Sequence, residues 1–285
     1  MPEARAPALY FPVRAAPYRL EAGLQRFGAD FGNGEIDRRF FQRDREAERY
    51  QRARRAVPPT RAGVLVDSGD QRAAHIAVLE WIAEALRDEH PGLSLPPLPS
   101  GDPKVDYAAV ISRVQEDLTV ILRTGDGSRE DAIAVFVDMP SGWRPERILG
   151  ASFREIHGPV PAFADEAAQA ASMVSSMVDR GPYVRFVWTV CADNALDHHP
   201  EEGGRLPWRD GCRGWLRVER QVTVPFEVER AALFLIRTYL YPFDGLSRER
   251  RAVLRAALGS MPAEVAAYKG IEGEPRRIAR ALLLD

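Results

Sequence analysis

The sequence predicts an α+β fold in which an antiparallel sheet of about five strands is flanked by N-terminal and C-terminal helices. Five segments rich in valine, isoleucine and aromatic residues fall between positions 114 and 241. The first two of these segments are joined by Gly125-Asp126-Gly127, a turn that is typical of an antiparallel hairpin. Before and after them lie segments whose apolar residues recur at helical spacing.

The predicted strands cover residues 114–124, 131–139, 183–191, 214–225 and 231–241. In the fourth strand Arg217, Glu219 and Gln221 alternate with apolar residues and with Arg220. Because successive side chains of a strand point to opposite faces, this strand has one polar face and one largely apolar face.

The predicted helices cover residues 35–56, 70–89, 163–180, 247–259, 262–269 and 273–283. The stretches 1–34 and 91–103 are rich in proline and are predicted to be irregular. We therefore expect an irregular and helical N-terminal extension over 1–103, a core over 104–245 and C-terminal helices over 246–285.

Composition excludes several classes of function. The net charge is −2, so there is no basic field that would attract nucleic acid or an anionic membrane. The apolar run near the C-terminus is short and contains Arg237, which argues against a membrane span. The two cysteines, Cys191 and Cys212, form no CxxC pair, which argues against a cysteine-held metal and favours a reducing, cytoplasmic location.

Familiar catalytic motifs are missing from the sequence. There is no GxSxG, no phosphate-binding GxxxxGK[ST], no HExxH, and no GxGxxG after a strand. A nicotinamide or flavin site of the Rossmann type is therefore not expected, and a redox reaction would draw its electrons from another protein.

His157 is the histidine with the most distinctive surroundings. It lies in IHGPVP, where Gly158 permits a flat group to approach the backbone and the two prolines stiffen the chain. One imidazole is sufficient as the axial ligand of a haem, since the porphyrin supplies the other four nitrogens. The residues alone leave two interpretations of His157 open, a structural residue in a turn or a haem ligand.

A haem would also need cations for its propionates and an apolar wall. Arg217 and Arg220 are three residues apart on a strand and point to opposite faces, so one of them at most faces a given ligand. Arg237 interrupts AALFLIRTYLY and must be paired or must meet an anion. Trp188 and Tyr239 are candidates for the wall, although strand aromatics also serve as plain core.

Five segments in a fixed order resemble the haem-dependent oxidative N-demethylase family, alpha-subunit type. They are VQEDLTVIL, MPSGWRPERILGASFREIHGPVP, YVRFVWTV, GWLRVERQ and LFLIRTYLYPF. The resemblance runs from about Phe40 to about Leu258, and its most specific parts are the block that ends in IHGPVP and the pair RVERQ and IRTY.

The resemblance implies b-type haem in a PAS-like domain that oxidatively demethylates a small amine with O₂. Electrons would come from a separate flavin and iron–sulfur reductase, and tetrahydrofolate would capture the formaldehyde. His157 maps onto the axial ligand, and Arg217, Arg220 and Arg237 map onto the family's arginines. No catalytic residue is assigned.

The sequence departs from the family pattern at three places. Val187 precedes Trp188 where an asparagine is expected, VPFEVERA follows RQVT in place of a Leu-Pro turn, and Arg147 replaces a lysine. These changes bear on the substrate more than on haem. Two other functions stay open: a haem-based or gas-binding PAS-like sensor without turnover, and a haem-free binding protein.

Overall fold

The computed structural model describes residues 5–19, 23–125, 127, 129–158, 160–161 and 176–283. Within these ranges the chain forms one antiparallel sheet of seven strands, in the order β1-β5-β6-β7-β3-β4-β2. The strands are β1 (Gln25–Arg26), β2 (Val64–Leu65), β3 (Asp117–Arg123), β4 (Glu130–Phe136), β5 (Tyr183–Cys191), β6 (Trp215–Phe226) and β7 (Ala231–Pro242).

The prediction of five strands was therefore wrong in number, although an antiparallel sheet is confirmed. The five predicted strands correspond to β3–β7, and the two additional ones come from the N-terminal part of the chain. β1 pairs with the start of β5 and β2 pairs with β4, so each extends the sheet at one outer edge. Two residues are too few for an alternation of polar and apolar side chains to be recognised.

The helices surround this sheet. They are α1 (Ala47–Ala56), α2 (Asp70–Glu89), α3 (Pro103–Ile111), α4 (Phe153–His157), α5 (Arg248–Gly259), α6 (Ala263–Tyr268) and α7 (Pro275–Ala281), with short 3₁₀ turns at Gly34–Arg38, Pro145–Arg147, Pro200–Glu202 and Phe243–Gly245. The predicted helix over 70–89 is confirmed, whereas α3 and α4 were not predicted. Of the predicted helix 163–180, residues 163–175 lie outside the described ranges. In the part of the chain that the structure describes, no helix is both long and apolar enough to cross a bilayer.

The predicted helix over 35–56 was wrong in its middle, where the chain is extended between the 3₁₀ turn and α1. Side chains from elsewhere in the chain accept the backbone N–H groups of this stretch. Glu89 accepts from Phe40 and Phe41 at 2.7 and 2.9 Å, and Glu116 accepts from Gln42 at 2.8 Å. Tertiary hydrogen bonds thus replace the helical ones that local propensity favours.

The two faces of the sheet differ in composition. On the first, which we name the helical face, Val184, Val218 and Val222 of β5 and β6 join apolar residues of β3, β4 and β7. Helices α2 and α3 cover one half of this face, and the N-terminal segment with the C-terminal helices covers the other.

The second face, which we name the polar face, presents the other set of alternate residues. Register pairs Arg185 with Gln221, Val187 with Glu219 and Thr189 with Arg217, and β7 adds Phe234, Ile236 and Thr238. The polar alternation predicted for β6 is therefore confirmed, and it continues into β5.

Candidate functional site on the polar face

Helix α4 lies on the polar face and begins with a capping box. Ser152 Oγ accepts the N–H of Glu155 at 3.2 Å, and Glu155 Oε2 accepts the N–H of Ser152 at 2.7 Å. The first helical residue, Phe153, is buried in a cluster with Ile121, and Phe234 packs against this cluster. Both of these strand residues belong to the polar face, so α4 is fastened there by an apolar contact.

His157 ends this helix with its ring partly buried and stacked on Phe153, at 3.9 Å between ring centroids. The imidazole Nδ1 lies 2.9 Å from the carbonyl oxygen of Phe153 and donates to it, because a carbonyl can only accept. Burial, opposed by that hydrogen bond and aided by the charge of Arg185, lowers the pKa of His157 to about 4. At neutral pH the ring is therefore uncharged, with its proton on Nδ1 and its lone pair on Nε2.

Several side chains on the same face as His157 stay partly exposed although they stand on central strands. Val187, Glu219 and Ile236 on the polar face are only partly buried. On the helical face of the same strands, Val218 and Leu235 have relative exposures of 0% and 1%. Side-chain packing therefore covers the polar face less completely than the helical face, and apolar as well as polar groups remain accessible on it.

Glu219 stands between several cations on this face. Its Oε2 accepts a hydrogen bond from Gln221 Nε2 at 3.1 Å, and its Oε1 lies 3.5 Å from Arg217 Nε. The Glu219 charge also acts on the Arg205 guanidinium and on Lys269. Burial, opposed by the charge of Glu219 and aided by the charges of Arg205 and Arg185, lowers the pKa of Lys269 to about 8.

Arg217 is the predicted arginine that the structure brings to the same face as His157. Its relative exposure is 1%, and its guanidinium donates to the carbonyl oxygens of Leu196 at 2.8 Å and Met139 at 2.7 Å. It also donates to Thr238 Oγ1 at 3.2 Å. Loops at one end of the sheet thus hold this arginine through neutral acceptors.

Arg220 and Arg237 lie opposite each other on β6 and β7, on the helical face. Arg237 Nη2 lies 2.8 Å from Asp44 Oδ2, and its guanidinium is stacked 4.0 Å from the ring of Tyr50. Arg220 Nη2 donates to the carbonyl oxygen of Arg39 at 2.9 Å. Both arginines therefore hold the extended segment around residues 39–44.

Trp188 and Tyr239 also belong to the helical face, where both are buried in the same apolar cluster. The Tyr239 hydroxyl donates to Gln42 Oε1. A cavity of about 160 Å³ on this face is lined in part by Gln42, Asp44 and Tyr239. The structure therefore places Arg220, Arg237, Trp188 and Tyr239 on the face opposite to His157.

Within the described ranges, no group of three or more His, Cys, Asp and Glu side chains is arranged to hold a metal ion. An axial haem ligand requires a single imidazole, and His157 presents one with a defined tautomer.

Sequence reasoning missed three cations of the polar face. Arg185 could have been found, since it alternates with Val187 and Thr189 in a predicted strand. Lys269 carries a weaker signal, because it is one of two lysines in the chain. Arg205 lies in a glycine-rich loop, and nothing in the local pattern indicates where that loop packs.

A family model described as "Haem-dependent oxidative N-demethylase, alpha subunit-like" matches residues 81–275, which is more than half of the 285-residue chain. The matched segment contains α4, the five long strands, and His157, Arg217 and Lys269.

Proposed function

The chain belongs to the haem-dependent oxidative N-demethylase, alpha subunit-like family, and on this premise we propose that it binds haem b through His157 and oxidatively demethylates an amine with O₂. The observation that carries the proposal is the hydrogen bond from His157 Nδ1 to the Phe153 carbonyl, 2.9 Å long, on the partly open polar face.

The residues present fit a haem in three respects. Metal-bound histidines almost always donate their second ring N–H to a carbonyl or carboxylate, which orients the ring and raises its basicity, and His157 has this arrangement. Val187 and Ile236 offer partly exposed apolar surface on the same face of the sheet. The buried Arg217 guanidinium, whose Nε lies 3.5 Å from Glu219 Oε1, offers a cation for a carboxylate. The lack of any CxxC pair favours non-covalent haem b.

Haem, when bound, would supply the iron that activates O₂ for oxidation of the C–H bond next to the amine nitrogen. The residues of the chain would bind the haem and shape its surroundings. His157 would hold the haem through its ring nitrogen, the Phe153 carbonyl would fix its tautomer, and the apolar side chains of the polar face would exclude water.

Arg217 is our candidate for a propionate contact. The assignments of Arg220, Arg237, Trp188 and Tyr239 to the cofactor stay predictions. The contacts of Arg220, Arg237 and Tyr239 with residues 37–44 favour a structural role for these three, and Trp188 is buried in an apolar cluster.

Three further elements belong to the proposal. A separate flavin and iron–sulfur reductase would deliver electrons, which agrees with the alpha subunit of the family description and with the lack of a Rossmann motif. Tetrahydrofolate is a candidate acceptor for the formaldehyde, and the cytoplasm is the expected location. A PAS-like core is supported by a sheet in which β3-β4 form a hairpin at one side and β5-β6-β7 a meander at the other.

The test is an absorption spectrum of the purified protein after expression with a haem precursor. The parent chain should show a Soret band near ~400 nm, and His157→Ala should lose or strongly reduce it. Arg154→Ala, an exposed change on the same helix, should leave the band unchanged. A parent protein without the band, or a His157→Ala spectrum equal to that of the parent, overturns the proposal.

Two additional measurements guard against trivial results. His157→Gly should regain the Soret band when imidazole is added, which distinguishes loss of a ligand from loss of the fold. Oxygen uptake by the haem-loaded protein with a reductant should rise on addition of an N-methylated amine. Uptake that does not respond to any amine would favour the gas-binding sensor.

A further inference from the structure

A group of buried and partly buried cations lies on the polar face away from α4, where loops meet the ends of β5 and β6. We name it the Arg205 cluster and define it as Arg205, Arg217, Glu219, Tyr268 and Lys269. Its members are linked by their charges, because Arg217, Glu219 and Tyr268 act on Arg205, and Glu219 and Arg205 act on Lys269. Three cations thus face one carboxylate.

Arg205 is held in place by backbone rather than by an acid. Its guanidinium donates to the carbonyl oxygens of Lys269 and Ser141 and to Ser141 Oγ. A Cβ atom on Gly270 would lie 2.5 Å from Arg205 Nη1, and one on Gly142 would lie 3.3 Å from the same guanidinium. Two glycines, both with positive φ, therefore make room for this side chain and fix its position.

Arg217 follows the same pattern, since carbonyl oxygens and a hydroxyl accept its Nη hydrogens. The Nε atoms of both Arg205 and Arg217 are buried and have no hydrogen-bond partner among the described residues. Lys269, with a relative exposure of 5%, donates to the carbonyl oxygen of Trp188. All three cations are thus oriented mainly by neutral acceptors.

The neighbouring carboxylate of Asp193 is occupied by other groups. It lies 2.8 Å from His198 Nε2 and accepts the N–H groups of Ala195 and Leu206. Glu219, in turn, also accepts from Gln221. The positive charge of the cluster is therefore only partly balanced.

Buried cations without enough counter-charge are costly, and a charge-assisted hydrogen bond to an anion offsets that cost. Burial and mutual repulsion disfavour the charged forms, and they therefore lower the pKa values of both Arg205 and Lys269. An incoming carboxylate would satisfy the unpartnered Arg205 Nε–H group, and its charge would add to that of Glu219, which lies 3.5 Å from Arg217 Nε.

We propose that the Arg205 cluster is a carboxylate-binding subsite of the polar face. The inference rests on the proposed function for the source of the carboxylate, which is either a haem propionate or an acidic group of the substrate. In the second case the substrate class is an N-methylated amino acid rather than a simple alkylamine.

The first arm of the test separates the propionates from the rest of the haem. Apoprotein is titrated with haem and with haem dimethyl ester, whose propionates are esterified, and tryptophan fluorescence quenching gives each Kd. The variants are Arg205→Gln and Lys269→Met. The controls are Arg209→Gln and Lys104→Met, which are exposed.

If the cluster binds a propionate, both variants weaken haem by about 10- to 100-fold, the effect of losing one or two charge-assisted hydrogen bonds, and leave the dimethyl ester unaffected. The controls should match the parent chain for both ligands. Two variants at different positions, each checked by thermal unfolding, guard against a result caused by misfolding.

The second arm tests the substrate as the source. The haem-loaded parent is titrated by calorimetry with N,N-dimethylglycine and with dimethylammonium chloride. If the cluster binds the substrate carboxylate, dimethylglycine binds more tightly than dimethylammonium, and Arg205→Gln removes that difference without changing the affinity for haem.

A third titration keeps this inference separable from the haem assignment. Apoprotein is titrated with succinate, and binding that Arg205→Gln and Lys269→Met abolish supports the subsite even if the parent binds no haem. The proposal is overturned if haem, dimethylglycine and succinate all bind the variants as they bind the parent.

Discussion

Lys269 allows a test of the electrostatics of the polar face in solution. The chain contains two lysines, Lys104 and Lys269, so protein labelled with ¹³C-lysine gives two Cε resonances, and Lys104→Met identifies them. Burial, aided by the charges of Arg205 and Arg185, lowers the pKa of Lys269 from 10.5 to about 8. We expect its resonance to titrate with a midpoint near pH 8.

The same shift sets the sign of a pH effect on stability. Between pH 8 and 10.5 the folded chain binds fewer protons at Lys269 than the unfolded chain, so the free energy of unfolding rises with pH in this window. The shift from 10.5 to about 8 corresponds to an upper limit of about 3 kcal/mol. Below pH 8 the full cost of burying the charged ammonium is present.

The assay is urea unfolding of the parent and of Lys269→Met at pH 7.5, 9 and 10.5. Subtracting the free energy of unfolding of Lys269→Met from that of the parent removes the titration of all other groups. Because the parent gains stability as Lys269 loses its proton, this difference should rise with pH. Lys104→Met should show the pH profile of the parent. A Lys269 resonance that titrates near its ordinary value of 10.5, together with a difference independent of pH, would refute the reasoning.

Three further substitutions test interactions that stabilise the fold around the site. Burial raises the pKa of Glu89 to about 7, so stability should fall as pH rises from about 4.5 to 7, and Glu89→Gln should flatten that fall in urea unfolding. Arg54→Met removes a guanidinium 2.8 Å from Asp117 and leaves buried carboxylates unpaired, which should cost about 3–5 kcal/mol in thermal unfolding. Gly63→Ala would place a Cβ atom 2.0 Å from the ring of Phe136, so we expect a loss of about 1–3 kcal/mol.

Each of these changes has a matched control on an exposed site. Glu84→Gln and Arg55→Met alter the same charges on neighbouring helical turns, and Gly92→Ala adds a methyl group where nothing lies within 4 Å. Controls that lose as much stability as their partners would show that burial and close contact are not the cause.

Local pattern was sufficient for the long elements of the fold. β5 and helix α2 were predicted within their observed bounds because alternation and helical periodicity persist over 9 and 20 residues. The stretch around residues 39–46 was mispredicted because its backbone partners, Glu89 and Glu116, are tens of positions away in sequence. No local rule can supply such partners.

The site residues also divide into those that local pattern could identify and those that depend on distant partners. His157 was singled out from its own neighbours, and alternation alone separated Arg217 from Arg220. The face of Arg237 follows only from the register between β6 and β7, which sequence pattern does not fix. Arg205 and Lys269 meet because two loops converge, 64 positions apart.

The outer edges of the sheet have a practical consequence for anyone shortening this chain. Residues 25–26 pair with the start of β5, and residues 64–65 pair with the outer side of β4. Both ranges lie ahead of the matched segment, which begins at 81. A fragment trimmed to that segment would expose unpaired strand edges and would strip Glu116 of the N–H group it now accepts, inviting edge-to-edge aggregation. Expression boundaries should therefore be drawn from sheet pairing and not from the limits of family similarity.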